Sequence, residues 1–156
     1  MEIKDFEIPK NKNAGVYMLY NITQRKIYVG CTSNFNRRAT QHRKDLRAER
    51  HSNKKMQEDY NKGCEFAFAI LEEYEKFDKD FLREREKLNI LAFRDRRIEV
   101  YNHDTDEYIM YQYINNLFKP IKNEVYRNFH NLYGLEITSL VCCKPDTIRA
   151  KFQKKY

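Results

Sequence analysis

The chain has 156 residues, which can bury one hydrophobic core, or one core with a small appendage, but not two full-sized domains. It carries 30 Lys and Arg residues against 23 Asp and Glu, and the resulting net charge of +7 favours a polyanionic partner such as nucleic acid. Aromatic residues make up 14% of the chain, which excludes a disordered tail and indicates a compact fold.

The cysteines and the lack of long apolar runs indicate where such a protein works. Cys142 and Cys143 are adjacent, and Cys31 and Cys64 stand alone, so their spacing suits neither a zinc site nor a disulfide framework. We therefore expect reduced thiols. The N-terminal residues contain no apolar stretch of signal-peptide length, and no run approaches the roughly 20 apolar residues of a membrane span. These features predict a soluble, cytoplasmic protein with no membrane partner.

The first regular elements follow an N-terminal arm that we place at residues 1–13. The segments AGVYMLYN (14–21) and RKIYVG (25–30) are rich in Val, Ile, Leu and Tyr and are separated by a polar turn. They predict an antiparallel hairpin that places Tyr17 and Tyr28 on neighbouring strands. Taken singly, each tyrosine is typical of a half-buried strand position, and only their joint spacing points to a function.

A basic amphipathic helix follows the hairpin. In TSNFNRRATQHRKDLRAERH a Ser or Thr residue can cap the N-terminus, and Phe35, Ala39 and Leu46 recur at helical spacing among polar and basic positions. The next segment, NKKMQEDYNKG, predicts a shorter helix that ends at Gly63.

A third strand and a third helix come next. The segment CEFAFAILEEY (64–74) is apolar on both faces, which predicts a buried, central strand. Asp78 then caps a helix in KDFLREREKLNILAFRD, where Glu86 falls on the apolar side between Leu82 and Ile90. Burying an unpaired charge costs several kcal/mol or more, so we expect a cation beside Glu86. A salt bridge to one of the many arginines is the ordinary explanation for such a carboxylate.

The pattern beyond a polar break at 102–107 is helical, and we place a boundary near residue 104. One helix is predicted to stop at Pro120 and the next at Gly134. The segment FHNLYGLEITSLVCC resembles a helix-turn-helix motif around Gly134, although His130 stands where that motif usually takes a small residue. A plain helical hairpin explains the same pattern equally well.

The hairpin and the helices together resemble the GIY-YIG endonuclease family. The segments GVY and YVG, with ten residues between Tyr17 and Tyr28, are similar to the paired motif of that family, with Val in place of both isoleucines. The resemblance covers residues 14–103 and implies an α+β fold, a small three-stranded antiparallel sheet flanked by helices. A helical C-terminal extension follows at 104–156. Further matches occur in the family's order at Arg38, His42, Glu86 and Asn102.

The same resemblance implies a role for each matching residue. Glu86 would hold one divalent cation, Mg²⁺ or Mn²⁺, which stabilises charge on the scissile phosphate. Arg38 would bind the non-bridging phosphate oxygens through its planar guanidinium. Glu84 lies on another side of the same helix, where an ion pair is its expected role. Lys87 follows Glu86 at a position where several relatives carry asparagine.

The tyrosines and the histidine would assist the attack on phosphorus. Tyr17 would orient the attacking water and accept its proton, for which Arg38 and the metal must lower a tyrosine pKa from about 10. Tyr28 and His42 would contribute hydrogen bonds. A histidine on an exposed basic helix could equally contact a DNA phosphate, so both roles stay open for His42. Asn102 completes the set of matching site residues.

Basic side chains around the first two helices would track the phosphate backbone, although a solvated helix face is the alternative. The proposed DNA contacts are Arg37, Arg43, Lys44, Arg47, Lys54, Lys55 and, in the C-terminal region, Arg149 and Lys151.

The function that follows is a metal-dependent DNA endonuclease of phage or mobile-element character. We expect it to act on double-stranded DNA in the cytoplasm of a bacterial or phage-infected cell. Whether it acts as a monomer or a homodimer stays open. A restriction-type or DNA-degrading nuclease would share the fold and the site residues and differ only in target. A non-catalytic nucleic-acid-binding adaptor is the alternative of another class, but Tyr17, Arg38 and Glu86 are all present.

Overall fold

The computed structural model describes residues 5–103 and 106–138, together with Asp146 and Phe152, although the side chains of residues 106–119 are not part of that description. Eight elements follow in chain order: β1 (Ala14–Asn21), β2 (Lys26–Thr32), α1 (Phe35–Arg47), α2 (Lys54–Asn61), β3 (Phe66–Tyr74), α3 (Lys79–Asp95), β4 (Glu99–Val100) and α4 (Asp106–Tyr133). None of the helices in this part of the chain has the length and apolarity that crossing a membrane requires.

The sheet confirms the α+β class but differs from the predicted one. Its strand order is β3-β1-β2-β4, with β1 antiparallel to both β2 and β3 and β4 parallel to β2. The prediction of three antiparallel strands is therefore wrong, because the two residues of β4 are too few to leave a strand pattern in the sequence. β3 is an edge strand and not a central one, and its apolar residues are buried because helices cover both faces of the sheet.

Alternate side chains of β1 enter two separate cores. Val16 and Met18 pack with α3 and the end of α4 on one face, while Tyr17 and Leu19 pack with α1 and α2 on the other. Every residue of β1 is consequently buried. This central strand fixes Tyr17 between the sheet and the layer that α1 and α2 form.

The helix boundaries follow local capping chemistry. The Asn34 side chain accepts a hydrogen bond from the Arg37 amide at 2.9 Å and caps α1, so the predicted Ser or Thr cap is wrong. Asp78 caps α3 as predicted, accepting from the Phe81 amide at 3.1 Å. Gly63 follows α2 at φ 85°, a conformation that favours glycine.

Helix α4 runs through Pro120, where the sequence predicts a stop. Proline removes one backbone hydrogen bond, but the second half of the helix is held by packing: Val125, Phe129 and Tyr133 enter the core that α3 and β1 share. Leu135, Ile137 and Phe152 join the same core.

Gly134 ends α4 at φ 62°, as the pattern predicts. Residues 134–138 form a bend and a turn, and residues 139–143, where the second helix of the suggested helix-turn-helix motif would continue, lie outside the described residues.

Candidate active site

The hairpin brings Tyr17 and Tyr28 together on the face that α1 covers. Tyr17 is paired across the ladder with Gly30 and Leu19 with Tyr28, and the two tyrosine rings lie 6.5 Å apart between centroids. Gly30 is required here, since a Cβ on it would come within 2.3 Å of the Tyr17 hydroxyl oxygen. The glycine of YVG thus makes room for the tyrosine of GVY.

The Tyr17 hydroxyl is enclosed by protein. The residue is 0% exposed, and its ring stacks on Phe68 with centroids 4.9 Å apart. Its oxygen accepts a hydrogen bond from Arg38 Nε at 3.0 Å and lies 2.7 Å from His42 Nε2. Burial, and then Tyr28, raise the pKa of Tyr17 above the ordinary value, although Arg38 acts in the opposite direction. The phenol is therefore protonated in this state, and the predicted lowering by Arg38 is not enough on its own.

Tyr17, Tyr28, Arg38 and His42 form one group of side chains, which we call the cluster. Arg38 contacts both tyrosines at the partly exposed side of this cluster. Burial raises the pKa of Tyr28, while the charge of Arg38 and a hydrogen bond from it act to lower that pKa. Burial would lower the pKa of Arg38, but Tyr17 and Tyr28 raise it further, so the guanidinium stays charged. Tyr28 and Arg38 both keep some solvent exposure, unlike Tyr17.

Glu86 reaches this cluster from α3, on the other face of the sheet, and keeps some solvent exposure. Its charge raises the pKa of both tyrosines, and burial together with a hydrogen bond to Glu86 raises the pKa of the Cys31 thiol to about 12. Within the described residues Glu86 forms no ion pair, so the ordinary salt bridge is not found there.

The charged side chain of α3 that is buried against the sheet is Arg85, whereas the helical pattern predicts Glu86. Arg85 is 8% exposed, and its Nε donates to Glu72 Oε1 at 2.6 Å. Tyr74 and Asn89 also donate to the Glu72 carboxylate, at 2.5 Å each. This buried cluster balances its own charge, whereas the Glu86 carboxylate has no cationic side chain paired with it in the described part of the chain.

The donor set around Glu86 fits a hard cation that keeps most of its waters. No group of three or more His, Cys, Asp and Glu side chains in the described part of the chain is placed to hold a metal ion. A single carboxylate, completed by water and phosphate oxygens, is the arrangement that Mg²⁺ accepts. Glu84 forms an ion pair with Lys87, N to O 3.4 Å, as predicted, and is not part of the cluster.

His42 is buried and faces the cluster instead of solvent. It is 2% exposed and lies on the inner stripe of α1 with Phe35, Ala39 and Leu46. A direct contact with a DNA phosphate is therefore closed to it in this structure. Burial and Arg38 lower its pKa well below the ordinary value of 6.5, so the ring is neutral at physiological pH.

His51 belongs to the same cluster, although the sequence pattern does not single it out. Its Nε2 lies 2.8 Å from His42 Nδ1, the two rings stack with centroids 5.1 Å apart, and its Nδ1 accepts from the Asn53 amide at 3.0 Å. Burial lowers its pKa also. The only signal in the sequence is a second histidine nine residues after His42 and two residues before Asn53, which caps α2.

Asn102 holds the backbone next to Tyr28. Its Oδ1 accepts from the Val29 amide at 2.9 Å, and its Nδ2 donates to the Val29 carbonyl at 2.8 Å. The side chain thus extends the short β2–β4 ladder by one amide unit, and it positions the strand instead of contacting the cluster's polar atoms.

The predicted DNA-contacting cations lie mainly on the surface of α1 and α2. Arg43 is partly buried, and Arg47 pairs with Asp5 through Nε at 2.9 Å. Arg149 and Lys151 lie outside the described residues. Exposed cations in this group are Arg37, Lys44, Arg47, Lys54 and Lys55.

The cluster has the chemistry of phosphoryl transfer. A fixed guanidinium can bind phosphate oxygens, a carboxylate can hold a cation, and phenols can orient water. These groups come from β1, β2, α1 and α3, so their arrangement depends on the whole sheet.

Known proteins are similar to this chain in sequence and in structure. The sequence profile of the GIY-YIG catalytic domain matches residues 13–102. Intron-associated endonuclease 1 of Enterobacteria phage T4 is 40% identical over 74 residues, a match that spans 47% of this chain and 30% of that protein. The catalytic domain of homing endonuclease I-TevI is similar in structure, with a TM-score of 0.53 and 34% identity, over 60% of this chain and 100% of that domain. A mutant form of the same domain gives a TM-score of 0.50 at 34% identity, over 55% of this chain and 89% of that one.

Proposed function

This chain belongs to the GIY-YIG family of endonucleases, and from that membership we propose that it hydrolyses DNA phosphodiester bonds with the help of one divalent metal ion. The single observation that carries the proposal is the position of Arg38. Its guanidinium lies between the two motif tyrosines at a partly exposed surface, near a carboxylate with no cation of its own among the described residues.

Arg38 binds the scissile phosphate in this proposal. Its Nε donates to Tyr17 and a further hydrogen bond reaches Tyr28, which fixes the plane of the guanidinium, and the remaining N–H groups are left for non-bridging oxygens. A permanent positive charge at that point offsets the charge that develops as the pentacoordinate state forms. Lysine would supply the charge without the fixed plane.

The two tyrosines have different roles toward the attacking water. Tyr28 is partly exposed and assists by a hydrogen bond to the water or the phosphate. Tyr17 accepts the proton of the attacking water, and because its hydroxyl is closed to solvent, Arg38 must shift toward the phosphate before water reaches it. Burial raises the pKa of the resting phenol, so proton acceptance is expected only with substrate bound.

Glu86 is the residue that would hold the metal ion, Mg²⁺ or Mn²⁺. When bound there, such an ion supplies positive charge to the scissile phosphate and the leaving oxygen. Two observations support this role: Glu86 forms no ion pair with any residue that the structure describes, and its side chain is partly exposed. Because one such site cuts one strand, cleavage of both strands requires a second copy of the chain or a second nick.

The biological setting is inferred from the relatives. Both the intron-associated endonuclease of phage T4 and the homing endonuclease domain point to a homing-type nuclease of a phage or mobile element. We place its action on duplex DNA in the cytoplasm of a bacterial or phage-infected cell. Exposed cations of α1 and α2 would follow the phosphate backbone.

Plasmid cleavage tests the proposal. Supercoiled plasmid incubated with the protein and Mg²⁺ should yield nicked or linear product, and EDTA should prevent it. Retained DNA binding without any product in Mg²⁺ or Mn²⁺ would favour a non-catalytic adaptor and reject the endonuclease proposal.

A further inference from the structure

Three hydrogen bonds connect a backbone amide to the catalytic tyrosine. The Asn53 N–H donates to His51 Nδ1 at 3.0 Å, His51 Nε2 lies 2.8 Å from His42 Nδ1, and His42 Nε2 lies 2.7 Å from the Tyr17 oxygen. Both histidines are 2% exposed, so no bulk water interrupts the chain. Each link is within normal hydrogen-bond distance.

The direction of every link is set at the amide end. A backbone N–H can only donate, so Nδ1 of His51 carries no proton, and a neutral His51 must carry its proton on Nε2. That proton points at His42 Nδ1, which must then accept. A neutral His42 is therefore protonated on Nε2 and donates to the Tyr17 oxygen. The lowered pKa values of both rings support the neutral state.

As a consequence, the Tyr17 hydroxyl oxygen accepts two hydrogen bonds. Arg38 Nε donates to it at 3.0 Å, and His42 Nε2 donates to it from the other side. Within the described residues, these are the two hydrogen-bond partners of the hydroxyl, and neither accepts its proton. The phenolate would keep both hydrogen bonds, whereas the phenol has a proton without an acceptor.

We propose that His51 is a positioning residue that fixes His42 as an Nε2–H donor and so stabilises the Tyr17 phenolate, the form of the residue that accepts a proton. This role rests on the proposed function, because it concerns the residue that takes the proton of the attacking water. In this arrangement His42 is not the base that deprotonates Tyr17. It stabilises the phenolate that forms when Arg38 has shifted and the Tyr17 proton has passed to solvent water. The phenolate then takes one proton from the attacking water as the water oxygen bonds to phosphorus, which restores the phenol.

Nitrogen NMR of the full-length protein tests the direction of the chain without any substrate. In protein labelled with ¹⁵N-histidine, the nitrogen shifts should show His42 and His51 both neutral and both protonated at Nε2. A His42 proton on Nδ1 would overturn the proposal, whatever the activity.

Kinetics test the effect on the reaction. His51→Leu removes the donor and should slow single-turnover cleavage by about tenfold or more, with DNA affinity unchanged. His51→Gln offers an amide N–H toward His42 Nδ1 and should recover most of that loss. His103→Gln, at an exposed position outside the chain of hydrogen bonds, is the matched control and should cleave at the wild-type rate.

The outcomes separate the two proposals. A folded His51→Leu protein that cleaves at the wild-type rate would reject the positioning role while leaving the endonuclease function intact. If that variant does not fold, the NMR result on the unaltered protein decides. If the unaltered protein cleaves nothing, the proposed function fails, and the same NMR result still shows whether His51 directs His42.

Discussion

The hydroxyl of Tyr17 lies directly against the Cα of Gly30, on the paired strand. A Cβ at position 30 would stand 2.3 Å from the phenol oxygen and 2.5 Å from the ring carbon that bears it. The ring cannot retreat, because Phe68 stacks on it and His42 meets its edge. The closeness of these two residues links the motif's second glycine to its first tyrosine.

Gly30→Ala should therefore destabilise the protein and displace the Tyr17 hydroxyl. Overpacking of this kind costs about 1–3 kcal/mol, measurable as a lower midpoint in urea. Adding Tyr17→Phe removes the atom nearest the new methyl group, so the double variant should be more stable than the sum of the single effects predicts. Simple additivity would show that the strand moves away as a whole.

Glu86→Ala should abolish cleavage and leave DNA binding largely intact, because this carboxylate is proposed to hold the metal and not the DNA. The measurement is nicking of supercoiled plasmid in Mg²⁺ alongside a binding assay. Glu84→Ala is the matched control on the same helix, since Glu84 pairs only with Lys87 among the described contacts. Near wild-type cleavage by the Glu86 variant would remove it from the site.

Tyr17→Phe should slow the chemical step by at least about tenfold, the low side of what a positioned general base contributes. The change keeps the stacking on Phe68 and deletes only the oxygen that Arg38 and His42 contact. Single-turnover rates measure it, with Tyr60→Phe as a control whose hydroxyl contacts Asp5 away from the cluster. Equal rates for both variants would leave Tyr17 a purely structural residue.

Acid should destabilise the fold through the two buried histidines. Burial holds the pKa of His42 well below 6.5 in the folded protein, while an unfolded histidine takes up a proton near that value. Stability from the neutral ring is thus complete above about pH 6.5 and is lost as pH falls toward the folded-state pKa. His42 alone contributes a slope of up to about 1.4 kcal/mol per pH unit in that window.

Urea unfolding measures this slope between about pH 7.5 and pH 5.5, a range that includes the ordinary histidine pKa of about 6.5. His51→Gln removes one of the two titrating groups and should flatten the dependence. His103→Gln, at an exposed position, should leave it unchanged. A slope that is the same in all three proteins would show that His51 contributes nothing to the acid sensitivity.

A chain that ends at His103 should lose its fold. Val125, Phe129 and Tyr133 fill the core shared with β1 and α3, and Tyr133 donates to the Ile70 carbonyl at 2.7 Å. Each fully buried side chain of this size contributes about 1.5–3 kcal/mol, so the three together contribute roughly 4.5–9 kcal/mol, a large part of the roughly 5–15 kcal/mol by which a whole domain is stable. Circular dichroism of the truncated chain tests this, and a cooperative unfolding transition would contradict it.

DNA selectivity is better tested in the full-length chain. Arg149→Glu with Lys151→Glu should weaken binding and flatten the dependence of log affinity on log salt, by roughly 0.9 for each phosphate that is no longer neutralised. Unchanged affinity and salt slope would assign the C-terminal region to structure and not to recognition.

The sequence was sufficient to predict which residues meet in the site where their spacing along the chain sets their distances. Tyr17, Tyr28 and Arg38 do meet, because the hairpin register and one turn of α1 fix their distances locally. Asp78 caps the beginning of α3 and Gly63 follows the end of α2, as expected, since capping depends on residues that are close in sequence.

Other features depend on distant contacts that no local pattern contains. Arg85 and Glu86 are adjacent on α3, and only the position of Glu72 on β3 decides which of them turns inward. His51 joins the site because the segment before α2 folds back onto α1. Helix α4 passes Pro120 because packing beyond it outweighs the one backbone hydrogen bond that proline removes.

The strand order has a consequence for how the protein is made. β1 is synthesised first and lies in the middle of the sheet, yet its partner β3 follows only after two helices, and Asn102 secures β2 later still. Such long-range pairing slows folding, and it leaves a nascent chain without an assembled cleavage centre. On a ribosome, a shortened product that lacks α3 would have Tyr17, Tyr28 and Arg38 but not Glu86. Such a product would therefore be without the carboxylate that is proposed to hold the metal ion.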